Sequence, residues 1–213
     1  MDSGATNKGA LTKGKILKAA MEHASSFGLS NVSIGEVAKR AGMSRTGVIS
    51  HFENKEHMQI AILKYCEQEF IAEVIKPAYA ELAIKNLENL LLKWRNWTDR
   101  LEFSSVVGCP FIKAEIEYQD RPSDGIKDFI QGQQKLFIQF IEKLVKRAQE
   151  QNAIRVDADA SKVAFEIYAI YVGHAVVRKL NSPQAGIDSY TFCINLLVNK
   201  YQDDVESKER FHI

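Results

Sequence analysis

Arg45 and Thr46 stand side by side and are followed by Gly47, a grouping with a clear chemical counterpart in DNA. An arginine fork can donate to both major-groove acceptors of guanine, and threonine can offer a methyl to thymine or a hydroxyl to a base edge. Gly47 leaves room for close approach, at a helix cost of up to ~1 kcal/mol relative to alanine. Ser33, Ser50, His51 and Lys55 are side chains suited to phosphate oxygens, contacts that position a protein without reading sequence. Ser33 and Ser44 serve equally well as helix caps, with or without a phosphate contact. His51 has a second reading, as a ring packed beside Phe52. Val48, Ile49 and Phe52 are expected to be core.

These groups need rigid supports, and the spacing of residues 33–55 supplies them. Ser33 followed three residues later by Glu36 has the capping-box spacing, in which each side chain satisfies an orphan N–H of the other's residue. Ile34, Val37, Ala38 and Ala41 recur on one helical face. Gly42 sits where a helix ends in the left-handed conformation, and Ser44 is placed to cap a second helix starting at Arg45. Helix, tight glycine turn, helix is the arrangement that lays its second helix in the major groove. Ahead of it, Thr12 is the expected cap of a first helix with Ile16, Leu17, Ala20, Met21 and Ala24 inward and Phe27-Gly28 closing it. Residues 1–11, small and polar, are expected to form a mobile arm.

The pattern resembles the N-terminal domain of TetR-family transcriptional regulators. The residues that carry the likeness are Ile16-Leu17 with Ala19-Ala20, Phe27-Gly28, Val37-Ala38, Ala41-Gly42-Met43-Ser44, His51-Phe52 and Lys55-Glu56, over about residues 12–70. Two positions depart from the family's common pattern. Ile49 stands where relatives usually carry a tyrosine that touches the DNA backbone, and Gly35 where some place a basic, base-reading residue. The resemblance implies a homodimer that binds a palindromic operator and an effector inside a helical body. It also implies a helix, here about 55–76, connecting head to body.

Composition sets the outer bounds. The 213 residues are 46% hydrophobic with no apolar run near the ~18 residues of a membrane span. The N-terminus lacks the apolar core of a signal peptide, so a cytoplasmic protein without membrane contact is expected. Cys66, Cys109 and Cys193 are far apart and odd in number, which argues against a disulfide framework or a zinc site. Net charge is only +1, but Lys8, Lys13, Lys15 and Lys18 face a single acid, Asp2, before Glu22. Lys39, Arg40, Arg45 and Lys55 extend that basic density, the footprint of a DNA-facing end.

Beyond Asn54, a helix cap, the chain reads as helix throughout. Met58, Ile62, Tyr65, Cys66 and Phe70 stripe one element running toward Pro77. Leu82, Leu87, Leu90, Leu91, Trp94 and Trp97 stripe another, fraying near Ser104-Ser105. A short helix is expected from Phe111 to about Arg121 and a long one from Ile126 to Ala148. The last two, about 159–180 and 184–201, are apolar enough to require burial on more than one side. Ile167, Ile170, Tyr171, Val177, Ile194 and Leu197 are the residues expected at a two-fold interface.

Trp94, Trp97, Phe111, Phe137, Phe140, Phe165 and Tyr168 are candidates to line a cavity, although each alone fits a core position as well. Trp94, Trp97, Cys109, Phe111, Glu115, Phe137 and Tyr168 form the expected effector site for a largely apolar small molecule, with Cys109 at its rim and Glu115 or the Tyr168 hydroxyl orienting it. Glu117 and Glu166 are carboxylates that could face either cavity or water. His174 fits a hydrogen-bonded core or interface residue better than a metal ligand. Cys109 has no visible basic neighbour to activate its thiol.

The expectation is therefore all-α: a head and arm over 1–54 with a three-helix helix-turn-helix, and a helical effector-binding and dimerisation domain over 55–213. The function expected is a DNA-binding regulator, a repressor released by its effector, with no enzymatic activity, metal or cofactor. An all-helical enzyme, or a protein-binding module with a vestigial head, is the alternative. Neither a nucleophile–base pair nor metal-ligand spacing supports the enzyme.

Overall fold

Helical periodicity in the sequence becomes ten α-helices in the computed structural model, which describes residues 3–97, 109–178, 180 and 182–202. They are α1 (Ser3–Phe27), α2 (Ile34–Ala41), α3 (Arg45–Ile49), α4 (Lys55–Phe70), α5 (Lys76–Ala78), α6 (Ala83–Arg95), α7 (Pro110–Tyr118), α8 (Gly125–Glu150), α9 (Ala160–Val177) and α10 (Pro183–Tyr201). A π-turn at Ile71–Ile75 joins α4 to α5. Among the described residues no strand forms; one isolated bridge pairs Ile154 with Gln202. None of the described helices is long and apolar enough to cross a membrane. The expected fraying at Ser104-Ser105 lies outside the described residues.

Helix boundaries follow local chemistry. Asp159 caps α9 through the N–H groups of Ser161 and Lys162, and Ser182 caps α10 through that of Ala185. The first helix differs from expectation, starting at Ser3 and not at Thr12. Residues 3–11 contain no proline, and a helix already nucleated around Ile16 extends at one hydrogen bond per residue.

Two compact units result, one of Met1–Phe70 with Leu101–Gly132, the other of Ile71–Arg100 with Gln133–Ile213. In the first, Ile16, Ala20, Val32, Val37, Val48, Met58 and Cys66 are fully buried and tie α1 to α2, α3 and α4. Phe70 and Phe111 meet edge-on at 5.8 Å, so α7 shares this core. In the second, Leu90, Leu91, Ile141, Val145, Ala164, Ile167, Tyr171 and Ile194 are buried.

The apolar α9–α10 pair is covered on one side only. Ile167, Tyr171, Ile194 and Leu197, expected at a two-fold interface, are instead core of their own chain. The face left open carries Phe165 and Val176 on α9, and Phe192 and Leu196 on α10, each more than half exposed. Phe165 thus lines no internal cavity. Helix phase explains the exchange: Ala164, Ile167 and Tyr171 turn inward, so Phe165 and Val176 fall on the opposite side.

Candidate nucleic-acid interface and ligand site

The turn between α2 and α3 is built by backbone hydrogen bonds that its sequence makes possible. Gly42 adopts φ 66°, ψ 35°. From there its N–H reaches Lys39 O at 3.3 Å and that of Met43 reaches Ala38 O at 2.9 Å, the paired closure of a Schellman end. Ser33 caps α2, its Oγ accepting from Glu36 N at 3.3 Å, and Ser44 caps α3 by accepting from Gly47 N at 3.1 Å. The reciprocal half of the expected capping box is replaced: Glu36 Oε1 accepts from Arg40 Nε at 3.4 Å.

With both ends capped, α3 displays Arg45 and Thr46 to solvent in its first turn, while Gly47 is half-buried and Val48 is fully buried. Ile49 is 50% exposed, not core as expected. The reason is geometric, since the residue after an inward Val48 lies about 100° round the helix. Ser50 is exposed and donates its hydroxyl to Gly47 O at 2.9 Å. His51 is half-buried with its ring 6.5 Å from that of the buried Phe52. Lys55, exposed, already donates to Ser30 O at 3.0 Å.

That last bond belongs to a tightly held corner between α1 and α2, which the sequence did not reveal. Gly28 turns the chain at φ 92°, and Ser30 N donates to Glu117 Oε2 at 3.0 Å. Lys113 Nζ donates to Ser25 O at 2.5 Å and to Ser26 O at 3.0 Å, closing the end of α1. Gln59, buried, donates to Leu29 O at 2.8 Å and contacts the Tyr118 hydroxyl at 3.3 Å. Burial lowers the Lys113 pKa from its ordinary value, with Glu117 pulling the other way. Lys113 and Glu117 are four residues apart with opposite charge, a spacing that in sequence reads as an ordinary intrahelical pair. Glu117 therefore faces the head's corner.

The expected effector residues divide between the two units. In the second, Trp94 stacks on Tyr171 at 3.7 Å, meets Phe137 edge-on at 4.7 Å and lies 6.2 Å from Tyr168. The Tyr168 hydroxyl donates to Gln134 Oε1 at 2.7 Å. Trp97 is 2% exposed. Gln133, one helical turn before Phe137, is buried, and among the described residues neither end of its amide has a hydrogen-bond partner. In the first unit, Cys109 is buried at the start of α7, with Phe111 buried and Glu115 half-buried beyond it. Burial pushes the Cys66 thiol up, and Cys109 adds to the effect.

A cavity of about 320 Å³ opens along α9 and α10, lined by Ile170, Gly173, His174, Tyr190 and Cys193 among others, and by none of the expected effector residues. His174 Nδ1 lies 3.2 Å from Gly186 O, a hydrogen-bonded core position. Glu166 is taken up by Lys200 at 2.9 Å and by the Tyr201 hydroxyl at 3.0 Å. Among the described residues no group of three or more His, Cys, Asp or Glu could hold a metal.

Comparisons with known proteins bear on both halves. Residues 16–62 match the pattern of bacterial regulatory proteins of the tetR family, and residues 83–191 match the tetracyclin repressor-like C-terminal domain. No curated protein matches the chain by sequence. Among solved structures, a TetR transcriptional regulator from Chloroflexus aurantiacus is 21% identical, with TM-score 0.77 over 92% of this chain and 98% of its own. A TetR-family regulator from Streptomyces coelicolor is 16% identical, with TM-score 0.74 over 90% and 96%. AibR, solved in complex with isovaleryl coenzyme A and operator DNA, is 19% identical, with TM-score 0.64 over 86% and 96%. Together the two matches take in the capped turn between α2 and α3 and the helices from α6 into α10, and the chain belongs to the TetR family of DNA-binding transcriptional regulators.

Proposed function

We propose that this protein is a homodimeric repressor whose α3 reads a palindromic operator and which a small-molecule effector releases. The observation that carries the reading is α3 itself: doubly capped, anchored by Val48, with Arg45 and Thr46 exposed in the turn that enters the groove. Arg45 reads a base edge, Thr46 and Gly47 shape the approach, and Ser33, Ser44, Ser50, His51 and Lys55 hold phosphates. A second copy covers the open α9–α10 face, placing the two reading helices about one DNA turn apart, ~34–36 Å.

The effector is largely apolar with one amide-like or carboxylate-like group. Trp94, Trp97, Phe137 and Tyr168, all in the second unit, offer it flat apolar surface. Gln133 supports a polar group in the ligand, because a buried amide without partners costs about 1–3 kcal/mol that a matching ligand would recover. Effector and DNA then oppose each other by the usual coupling of ~1–3 kcal/mol. AibR, whose structure holds both an acyl thioester and operator DNA, supports a ligand-responsive reading.

The test is a gel shift with duplex DNA from upstream of the protein's own coding sequence, comparing wild type with Arg45→Ala. Specific binding should weaken by about 1–3 kcal/mol, with relaxed preference at one position per half-site. A loss that is the same for every DNA sequence would make Arg45 a phosphate clamp and remove it from base reading.

A further inference from the structure

Gly35 lies inside α2, one residue from its start, and has no left-handed backbone angle that would call for glycine. At such a position glycine is the poorer helix former. What a side chain would meet there is Arg45. A Cβ on Gly35 would stand 3.1 Å from Arg45 Nη2, 3.2 Å from Nε and 3.3 Å from Cζ, closer than ordinary van der Waals contact. The guanidinium thus lies close against the first turn of α2. Electrostatics does not put it there: the start of a helix repels a cation. Among the described residues, Arg45 also has no ion pair or side-chain hydrogen bond. Its donors are all available, and contact with α2 is what restrains its fork.

We infer that Gly35 is a specificity-determining position: by carrying no side chain it seats the Arg45 guanidinium against α2 and so fixes which base pair of a half-site Arg45 reaches. The inference rests on the reading of Arg45 as the base-reading residue. A bidentate contact discriminates only while both donors align with both acceptors. A Cβ that moves the fork by a few tenths of an ångström shifts that alignment without touching the DNA itself.

Selection from a pool of randomised duplex DNA by the full-length protein tests this, using wild type, Gly35→Ala, Arg45→Ala and the double variant. Arg45→Ala should lose preference at one base pair per half-site. Gly35→Ala should reduce or move preference at that same pair by about tenfold, add nothing in the Arg45→Ala background, and melt no earlier than wild type. Gly35→Ser, which adds the same Cβ, should repeat the shift. An unchanged preference in Gly35→Ala beside a lost one in Arg45→Ala overturns the role of Gly35 and leaves that of Arg45 standing. An equal Gly35→Ala effect with and without Arg45, or a Gly35→Ala chain that fails to fold, also overturns it. Preference retained in Arg45→Ala removes the base-reading assignment and this inference with it.

Discussion

Gly28 is the residue on which the corner after α1 depends, for two separate reasons. Its φ of 92° strains any other residue, and a Cβ there would fall inside the Glu117 carboxylate. Gly28→Ala should cost about 1–3 kcal/mol in urea unfolding, and adding Glu117→Ala should return part of that by removing the clash. If the second change returns nothing, backbone strain alone governs the site. In sequence Gly28 is legible only as a helix stop, because its partner lies 89 residues further on. Ser44 and Gly42 are legible in full, since cap and turn act within three or four residues. Ile49 shows the opposite limit. Its type points inward, yet a five-residue helix has only one inward position to give, and Val48 holds it.

At the scale of elements, α7 is the surprise. Its sequence marks a short helix beside a possible pocket, and two of its charged side chains instead close the end of α1 and the turn before α2. Long helices such as α8 were readable because Ile126, Ile130, Ile141, Leu144, Val145 and Ala148 repeat with the helical period and are all buried. Periodicity says which face is inward but not what covers it, and so the role of Lys113 and Glu117 stayed hidden. Glu117→Ala should raise the exchange rate of the Ser30 amide and weaken operator binding several-fold. The salt dependence of binding should keep its slope, because no phosphate contact is lost. A flatter slope in fluorescence anisotropy titrations would mean that the variant has displaced a cation from the DNA face.

At the scale of the whole molecule, the open face of α9 and α10 is the surface on which the proposed dimer rests. Of the six residues expected at a two-fold interface, Ile167, Tyr171, Ile194 and Leu197 are used in the chain's own core, whereas Ile170 is half-buried and Val177 stays 48% exposed. Nothing in one chain's periodicity separates the two apolar faces. Leu196→Glu places a charge on the face that carries Phe165, Val176 and Phe192 and should give a monomer by sedimentation at micromolar concentration. Because Leu196 is 55% exposed, the monomer itself should keep its helical content. DNA affinity should fall with the dimer, since each half-site then binds alone. A Leu196→Glu protein that remains dimeric would move the interface elsewhere.

The unit that holds the reading helix is assembled from Met1–Phe70 and Leu101–Gly132, two pieces separated along the chain. A ribosome adding about 5–20 residues per second releases α2 and α3 several seconds before it makes α7. During that interval the Ser30 amide and the carbonyls of Ser25 and Ser26 have only water to bind. The nascent chain therefore carries its recognition residues before it can hold them still. Competence to grip DNA matures only past the middle of translation, when Ile71–Arg100 of the second unit has been made and Gln133–Ile213 has not. A chain that ends before α7 is thus a poor competitor for DNA.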